Sequence, residues 1–315
     1  MAVELGVHIG QQNLEIGELR STWRRFDEAR LDWISLWDHF YEAPPEGGIR
    51  DHFETLTTLG ALAADTSHTR IGVLVFYPGY RNPALLAKAA VTLDHLTGGR
   101  FTLGIGGGWH QPEAVAHGYD FPGIGTRLDL LEESIQIIRG MLQNERTTFH
   151  GKHFRVEDVS CLPRPIQTKL PIWVGGTGEK RTLRIAARYA DGWNAAYVSS
   201  KEFGRLNGVL DRWCETEGRD PGEIQRTVNL SFAMGVDAAS AEREETALRE
   251  KWGPVAARIA GGSLLGTPDR AAETVARYID EGAVAVNIAL RAPWDAEALT
   301  AYIEQVVPQI RASTR

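Results

Sequence analysis

The sequence predicts a (β/α)8 barrel, and three observations carry the prediction. Short apolar runs alternate with amphipathic helical stretches along the whole chain, and they count out as eight strand–helix units. The apolar runs are continuous, as expected of parallel strands covered by helices outside and by each other inside. Two of them, FTLGIGGGW (101–109) and PIWVGGTG (171–178), run directly into glycines. A chain of 315 residues suits one such barrel, so a single domain over 1–315 is expected. A doubly wound open sheet is the alternative arrangement of the same units, because strand order is not written in one sequence.

The strands are expected at 3–9, 33–37, 71–76, 101–106, 172–174, 192–196, 227–235 and 285–290. The first helix, over 16–30, sets Leu19, Trp23, Phe26 and Ala29 at helical spacing. Helices follow over 53–64, over 83–96 with Pro83 in the first turn, and over 127–141. Two insertions interrupt the rhythm. One, near 147–167, is rich in polar and turn residues and starts as a small hairpin. The other, near 237–265, is charged and mostly helical. Further helices are expected over 179–189, 201–217, 268–281, with Thr267 as N-cap, and 295–310.

Composition narrows the function classes. With 43% hydrophobic and 24% charged residues the chain has ample material for a core. A net charge of -7 argues against general binding to nucleic acid or to an anionic membrane. Two cysteines, Cys161 and Cys214, exclude a disulfide framework and a thiolate metal cluster. The histidines lack paired ligand spacing, so no metal site is expected. There is no charged start followed by an apolar stretch and no apolar run long enough to span a bilayer, so a cytoplasmic location is expected.

In a barrel of this kind the site lies at the carboxyl ends of the strands. Asp38, His39, Phe76, the 106–109 loop, the 175–178 turn and Asn194 should therefore ring one opening. A strand tip without side chains lets a flat or phosphorylated ligand approach the backbone. Gly104-x-Gly106-x-Gly108 is not a dinucleotide fingerprint, since Trp109 stands where a third glycine is needed. GGTGEKRT (175–182) is not a phosphate-binding P-loop, for it lacks Gly-Lys-Ser/Thr. It does offer a glycine nest feeding a helix, with Lys180, Arg181 and Arg184 nearby, which favours an anion; the plainer reading is a tight turn. Asp38-His39 at a strand end suits proton exchange, the carboxylate setting the imidazole tautomer. Glu54 and Glu113 read as carboxylates merely favourable at helix starts. His8, on the first strand, points into the barrel or to its mouth.

At these residues the chain resembles the bacterial luciferase-like superfamily, and within it the deazaflavin-dependent branch. The resemblance runs from Leu5 to Val307. It rests on Trp37-Asp38-His39-Phe40, Arg81-Asn82-Pro83, Leu93-Asp94 with Gly98-Gly99-Arg100, and Leu103-Gly104-Ile105-Gly106 with Gly108-Trp109. It continues through Phe121-Pro122, Pro163-Arg164-Pro165, Pro171 to Gly176, Tyr189 to Asn194 and Gly266-Thr267-Pro268.

The resemblance implies a ring cofactor in the opening, coenzyme F420 with FMN as the alternative. It implies a bulge on the third strand near Leu74-Val75, often with a non-prolyl cis peptide, that backs the ring. Leu74, Val75, Phe76, Gly106, Gly107 and Gly108 would lie along the ring and ribityl chain. Gly175, Gly176, Thr177, Gly178 and Glu179 would hold the phosphate. His39 would exchange a proton with the substrate while Asp38 orients or polarises. Phe40, Tyr77, Trp109 and His110 would contact a small organic substrate. The expected activity is hydride transfer between F420 and that substrate; the rival is an FMN-dependent monooxygenase using reduced flavin and O2. A separate reductase supplying reduced cofactor and a homodimer are the expected partners. Sugar-phosphate dehydrogenases of this branch have a glutamate where this chain has Trp109, so an apolar or aromatic substrate is expected rather than glucose 6-phosphate.

Overall fold

The computed structural model describes residues 3–42 and 50–314. Eight parallel strands close into a barrel in the order β1 (Glu4–Ile9), β2 (Trp33–Leu36), β3 (Arg70–Val73), β4 (Phe101–Gly106), β7 (Ile172–Gly175), β8 (Gly192–Ala196), β9 (Gln225–Met234) and β11 (Ala285–Leu290), which returns to β1. These are the eight expected strands. Closure gives every strand two neighbours, so no edge is left unpaired around the ring.

Between β4 and β7 the antiparallel pair β5 (Thr147–His150) and β6 (Arg155–Val159) forms the expected hairpin. The charged insertion folds as α8 (Ala238–Trp252) and α9 (Ala256–Gly261). It ends in a strand that sequence reading left inside the insertion. This is β10 (Ser263–Gly266), paired in parallel with the far end of β9. Four residues are too few to display a period.

The surrounding helices are α1 (Ile16–Glu28), α2 (Thr55–Asp65), α3 (Pro83–Thr97), α5 (Ile124–Gln143), α6 (Thr182–Tyr189), α7 (Ser200–Glu217), α10 (Pro268–Asp280), α11 (Ala296–Ala301) and α12 (Val307–Ser313). Trp23 and Phe26 of α1 are fully buried against the barrel, as their spacing requires. Thr267 is the N-cap of α10, though its side chain makes no capping bond. The helix start read at Glu113 belongs to α4 (Gln111–Ala116), a short helix outside the expected helix ranges that directly follows the glycine loop after β4.

Several of the motifs clamp the scaffold rather than serve chemistry. Asp94 accepts hydrogen bonds from the backbone N–H groups of Ile166 and Gln167 and from Gln167 Nε2, tying α3 to the chain that enters β7. Asp191 accepts from Ile172 N and pairs with Arg139 and Lys169. Asp27 accepts from the N–H groups of Ser67, His68 and Thr69, fixing the turn that enters β3.

At the carboxyl end of β3 the ladder breaks and resumes. Leu74 N still donates to Leu36 O, the Leu74–Val75 peptide is cis, and Phe76 re-pairs with Ile105 of β4. This interruption lies where the bulge was expected.

Candidate active site

A cavity of about 560 Å3 opens at the carboxyl ends of the strands. That volume accommodates a drug-sized ligand. Strand order divides its wall. The arc β3–β4–β7 contributes Leu74 and Val75, the Gly106–Gly108 loop, Gly175, Gly176 and Thr177. The opposite arc, β8–β9–β11–β1, contributes Asn194, Asn229, Arg291 and His8. His39 follows β2, where the two arcs meet. The insertion adds Trp252, Arg258 and Ile259 to the rim.

The glycine arc is bare because neighbouring groups fill the space a side chain would need. A Cβ on Gly106 would lie 2.5 Å from Val75 Cγ2, and one on Gly175 would lie 2.7 Å from Val75 Cγ1. Gly176 has φ of +125°, a conformation side chains disfavour, and its carbonyl accepts a 2.7 Å bond from Trp193 Nε1. Of the basic residues beside this turn, Arg181 pairs with Asp129 and Arg184 with Glu217. Gly178 and Glu179 do not line the cavity; Glu179 pairs with Arg205, and its carbonyl accepts from Trp213 Nε1.

Asp38 and His39 both line the cavity, but their hydrogen-bond partners differ. Both Asp38 oxygens accept from Arg81 Nη1 at 2.8 Å and Oδ2 also accepts from Tyr77 N at 3.0 Å. Arg81 reaches on to Glu54, the N-cap of α2, at 2.7 Å. Burial pushes the Asp38 carboxyl above its ordinary value, against the pull of Arg81 and Tyr77 N–H. The expectation that Asp38 sets the His39 tautomer is therefore corrected. Its carboxylate is spent on Arg81 and the Tyr77 turn.

Glu113 takes that role. The third residue of α4, it is completely buried, and its Oε2 lies 2.8 Å from His39 Nδ1. The same oxygen accepts from Tyr80 Oη at 3.1 Å, while Oε1 accepts from the N–H groups of Phe40 and Tyr41 at 2.6 and 2.9 Å. Burial raises the Glu113 carboxyl, but His39 and the two backbone donors pull it down to about 2. Held as an anion, it accepts the Nδ1 proton of His39 and leaves Nε2 as the imidazole's free acceptor. Sequence reading took Glu113 for a favourable helix-start charge and concluded that the acid was missing at Trp109. Glu113, four positions on, is the carboxylate that α4 brings to His39. Pro112 at the second position of α4 and Glu113 itself in the first turn are the local signs of that helix.

Trp109 stands at the cavity mouth, 58% exposed, its ring edge-on to His39 at 5.3 Å and stacked on His110 at 4.9 Å. Burial lowers the His110 pKa against the pull of Glu113. Tyr77 also lines the cavity. Phe40 and Phe76 do not: Phe40 packs on Tyr80 and His117 behind His39, and Phe76 is wholly buried in the core. The nearest ligand-type atoms of His39, His110 and Glu113 lie within 4.8 Å of one another, a grouping that sequence spacing does not reveal. Four N–H and O–H donors already fill the oxygens of Glu113.

Comparison with known proteins places this geometry. The luciferase-like monooxygenase family matches residues 2–255. An F420-dependent glucose-6-phosphate dehydrogenase of Kineococcus radiotolerans is 31% identical over 76% of this chain and 70% of its own length. That of Microbacterium testaceum is 28% identical over 90% of both. Among solved structures, an F420-dependent secondary alcohol dehydrogenase with an F420-acetone adduct superposes with a TM-score of 0.85 at 17% identity, covering 98% of this chain and 99% of that one. A long-chain alkane monooxygenase superposes with 0.80 at 16% identity, covering 99% and 92%. Among the described residues no helix is long and apolar enough to cross a membrane. The chain belongs to the luciferase-like monooxygenase family.

Proposed function

We propose that this protein is a coenzyme F420-dependent oxidoreductase that interconverts an alcohol and a carbonyl compound. The observation that carries the reading is the His39–Glu113 pair at the edge of a glycine-walled cavity. The cavity fits the cofactor on a feature of this chain: Val75 presses between the bare Gly106 and Gly175, leaving a flat surface for a ring. Leu74 and Val75 would back the ring, Gly106–Gly108 would follow the ribityl chain, and Gly175, Gly176 and Thr177 would take the phosphate. When bound, the deazaflavin supplies the two-electron chemistry. His39 Nε2 receives the alcohol proton in the oxidising direction and returns it in the other, while Glu113 steadies the imidazolium. Trp109 shields the site from water.

An alcohol or carbonyl substrate replaces the apolar one expected from Trp109, because the reacting end carries His39, Glu113 and His110. The sugar-phosphate and secondary-alcohol relatives support this class. Incubating the protein with oxidised F420 and a panel of secondary alcohols and sugar phosphates should bleach the cofactor's visible band with at least one of them. No bleaching with any, together with turnover of an organic substrate by reduced FMN and O2, would reverse the assignment. The alkane monooxygenase neighbour keeps that second reading in view.

A further inference from the structure

The arc opposite the glycines carries a second set of polar groups that proton exchange at His39 does not use. His8, Asn194 and Asn229 line the cavity, and each is almost wholly buried. Four hydrogen bonds orient them. His8 Nδ1 lies 2.8 Å from Ser35 Oγ, so Nε2 is the ring nitrogen left for a ligand. Asn194 Nδ2 donates to Thr227 Oγ1 at 2.9 Å and to Asn229 Oδ1 at 3.1 Å. Asn287 Nδ2 donates to the same Asn229 oxygen at 3.1 Å.

Among the described residues this leaves Asn229 Nδ2, a donor, and Asn194 Oδ1, an acceptor, with no protein partner. Both residues line the cavity, where a ligand or water can answer such a pair. A hydroxyl both donates and accepts, whereas a carboxylate or phosphate oxygen only accepts. A mixed donor–acceptor pair therefore suits a hydroxyl.

We propose that His8, Asn194 and Asn229 form a recognition subsite for a second hydroxyl of the substrate, so that the protein acts on diols or polyols in preference to simple alcohols. The proposal deepens the hydride-transfer reading and rests on it for the placement of cofactor and substrate on opposite arcs. His39, at the junction of the arcs, then meets the reacting oxygen while the second hydroxyl anchors the far end of the molecule.

Calorimetric titration of the F420-loaded protein with cyclohexanol, 1,2-cyclohexanediol and 1,3-cyclohexanediol tests this without requiring turnover. At least one diol should bind about tenfold or more tightly than cyclohexanol, the margin of a site built to hydrogen-bond a hydroxyl. His8→Ala and Asn229→Ala should bring the diol to within about threefold of cyclohexanol, and His8→Gln should keep part of the margin. F420 affinity, read from quenching of its fluorescence, should hold in all three variants and so reports that they are folded. Equal binding of all three ligands to the wild-type protein overturns the proposal, as does an undiminished diol margin in folded His8→Ala and Asn229→Ala. A diol margin without any F420 reduction would instead leave the subsite standing and refute the hydride-transfer reading.

Discussion

His39 Nδ1 and Glu113 Oε2 lie 2.8 Å apart across 74 residues of sequence. The contact joins the end of β2 to a six-residue helix after β4, and it settles which nitrogen of His39 faces the cavity. Asp38, its chain neighbour, closes a buried ion pair with Arg81 instead. Two carboxylates thus flank one imidazole in the sequence and in space, but a different one in each case.

Replacing Glu113 by Gln should test this division directly. The amide oxygen can still accept from Phe40 and Tyr41 N–H, so the loop should hold. The amide N–H2, however, would face His39 Nδ1 and favour the tautomer that carries its proton on Nε2, the wrong one for accepting a proton from substrate. We expect kcat to fall by about 10²–10⁴-fold with F420 affinity unchanged within error. A variant that keeps full kcat would show that Glu113 does not set the tautomer.

How much of this was legible beforehand follows from which contacts are local. The barrel strands were, because a strand buried on both faces must be a continuous apolar run. The glycine arc was, because glycines at a strand end are visible without any partner. The partner of His39 was not. Its identity depends on a contact 74 residues away, and α4 has too few residues for a periodic pattern. Asp38 was the nearest carboxylate in sequence, and chain proximity misled, since its oxygens are taken by Arg81 and Tyr77 N–H. Phe76 was misplaced for the same kind of reason. The break at Leu74–Val75 returns it to pairing with Ile105 and sends its ring into the core.

Arg81 should matter for stability rather than for proton exchange. Its guanidinium compensates Asp38, whose side chain is 1% exposed, and also holds Glu54. Arg81→Met would leave a buried carboxylate without its counter-charge, at a cost of about 3–5 kcal/mol in denaturant unfolding. The double variant Arg81→Met/Asp38→Asn should recover a substantial part of that loss, because the uncompensated charge goes with it. Equal stability of the single and double variants would place the cost elsewhere.

His8 supplies a pH signature of its own. Burial first, then the positive charges of Arg291 and His39, push its pKa down to about 3, against the pull of Ser35. An unfolded chain protonates this imidazole near 6.5, so between roughly 6.5 and 3 the unfolded state binds a proton that the folded state refuses. The stabilisation is complete above that window and is lost as pH falls through it. Replacing His8 by Gln should flatten the stability profile between pH 6.5 and 4 by on the order of 3 kcal/mol relative to wild type. Parallel profiles for the two proteins would mean that His8 is protonated in the fold.

Gly106 tests whether the bare arc is bare for the sake of a ring. A methyl there would come within 2.5 Å of Val75 Cγ2, and Gly175 closes the other side of Val75 in the same way. Val75 then has nowhere to move but into the cavity, over the surface assigned to the cofactor. Gly106→Ala should therefore weaken F420 binding by about tenfold or more, with a stability loss of about 1–3 kcal/mol from overpacking. Trimming the obstruction provides the control: Gly106→Ala/Val75→Ala should bind F420 about as well as Val75→Ala alone. If the double variant binds no better than Gly106→Ala, the added methyl acts on the backbone of the loop rather than through Val75, and the packing account of the cofactor wall fails.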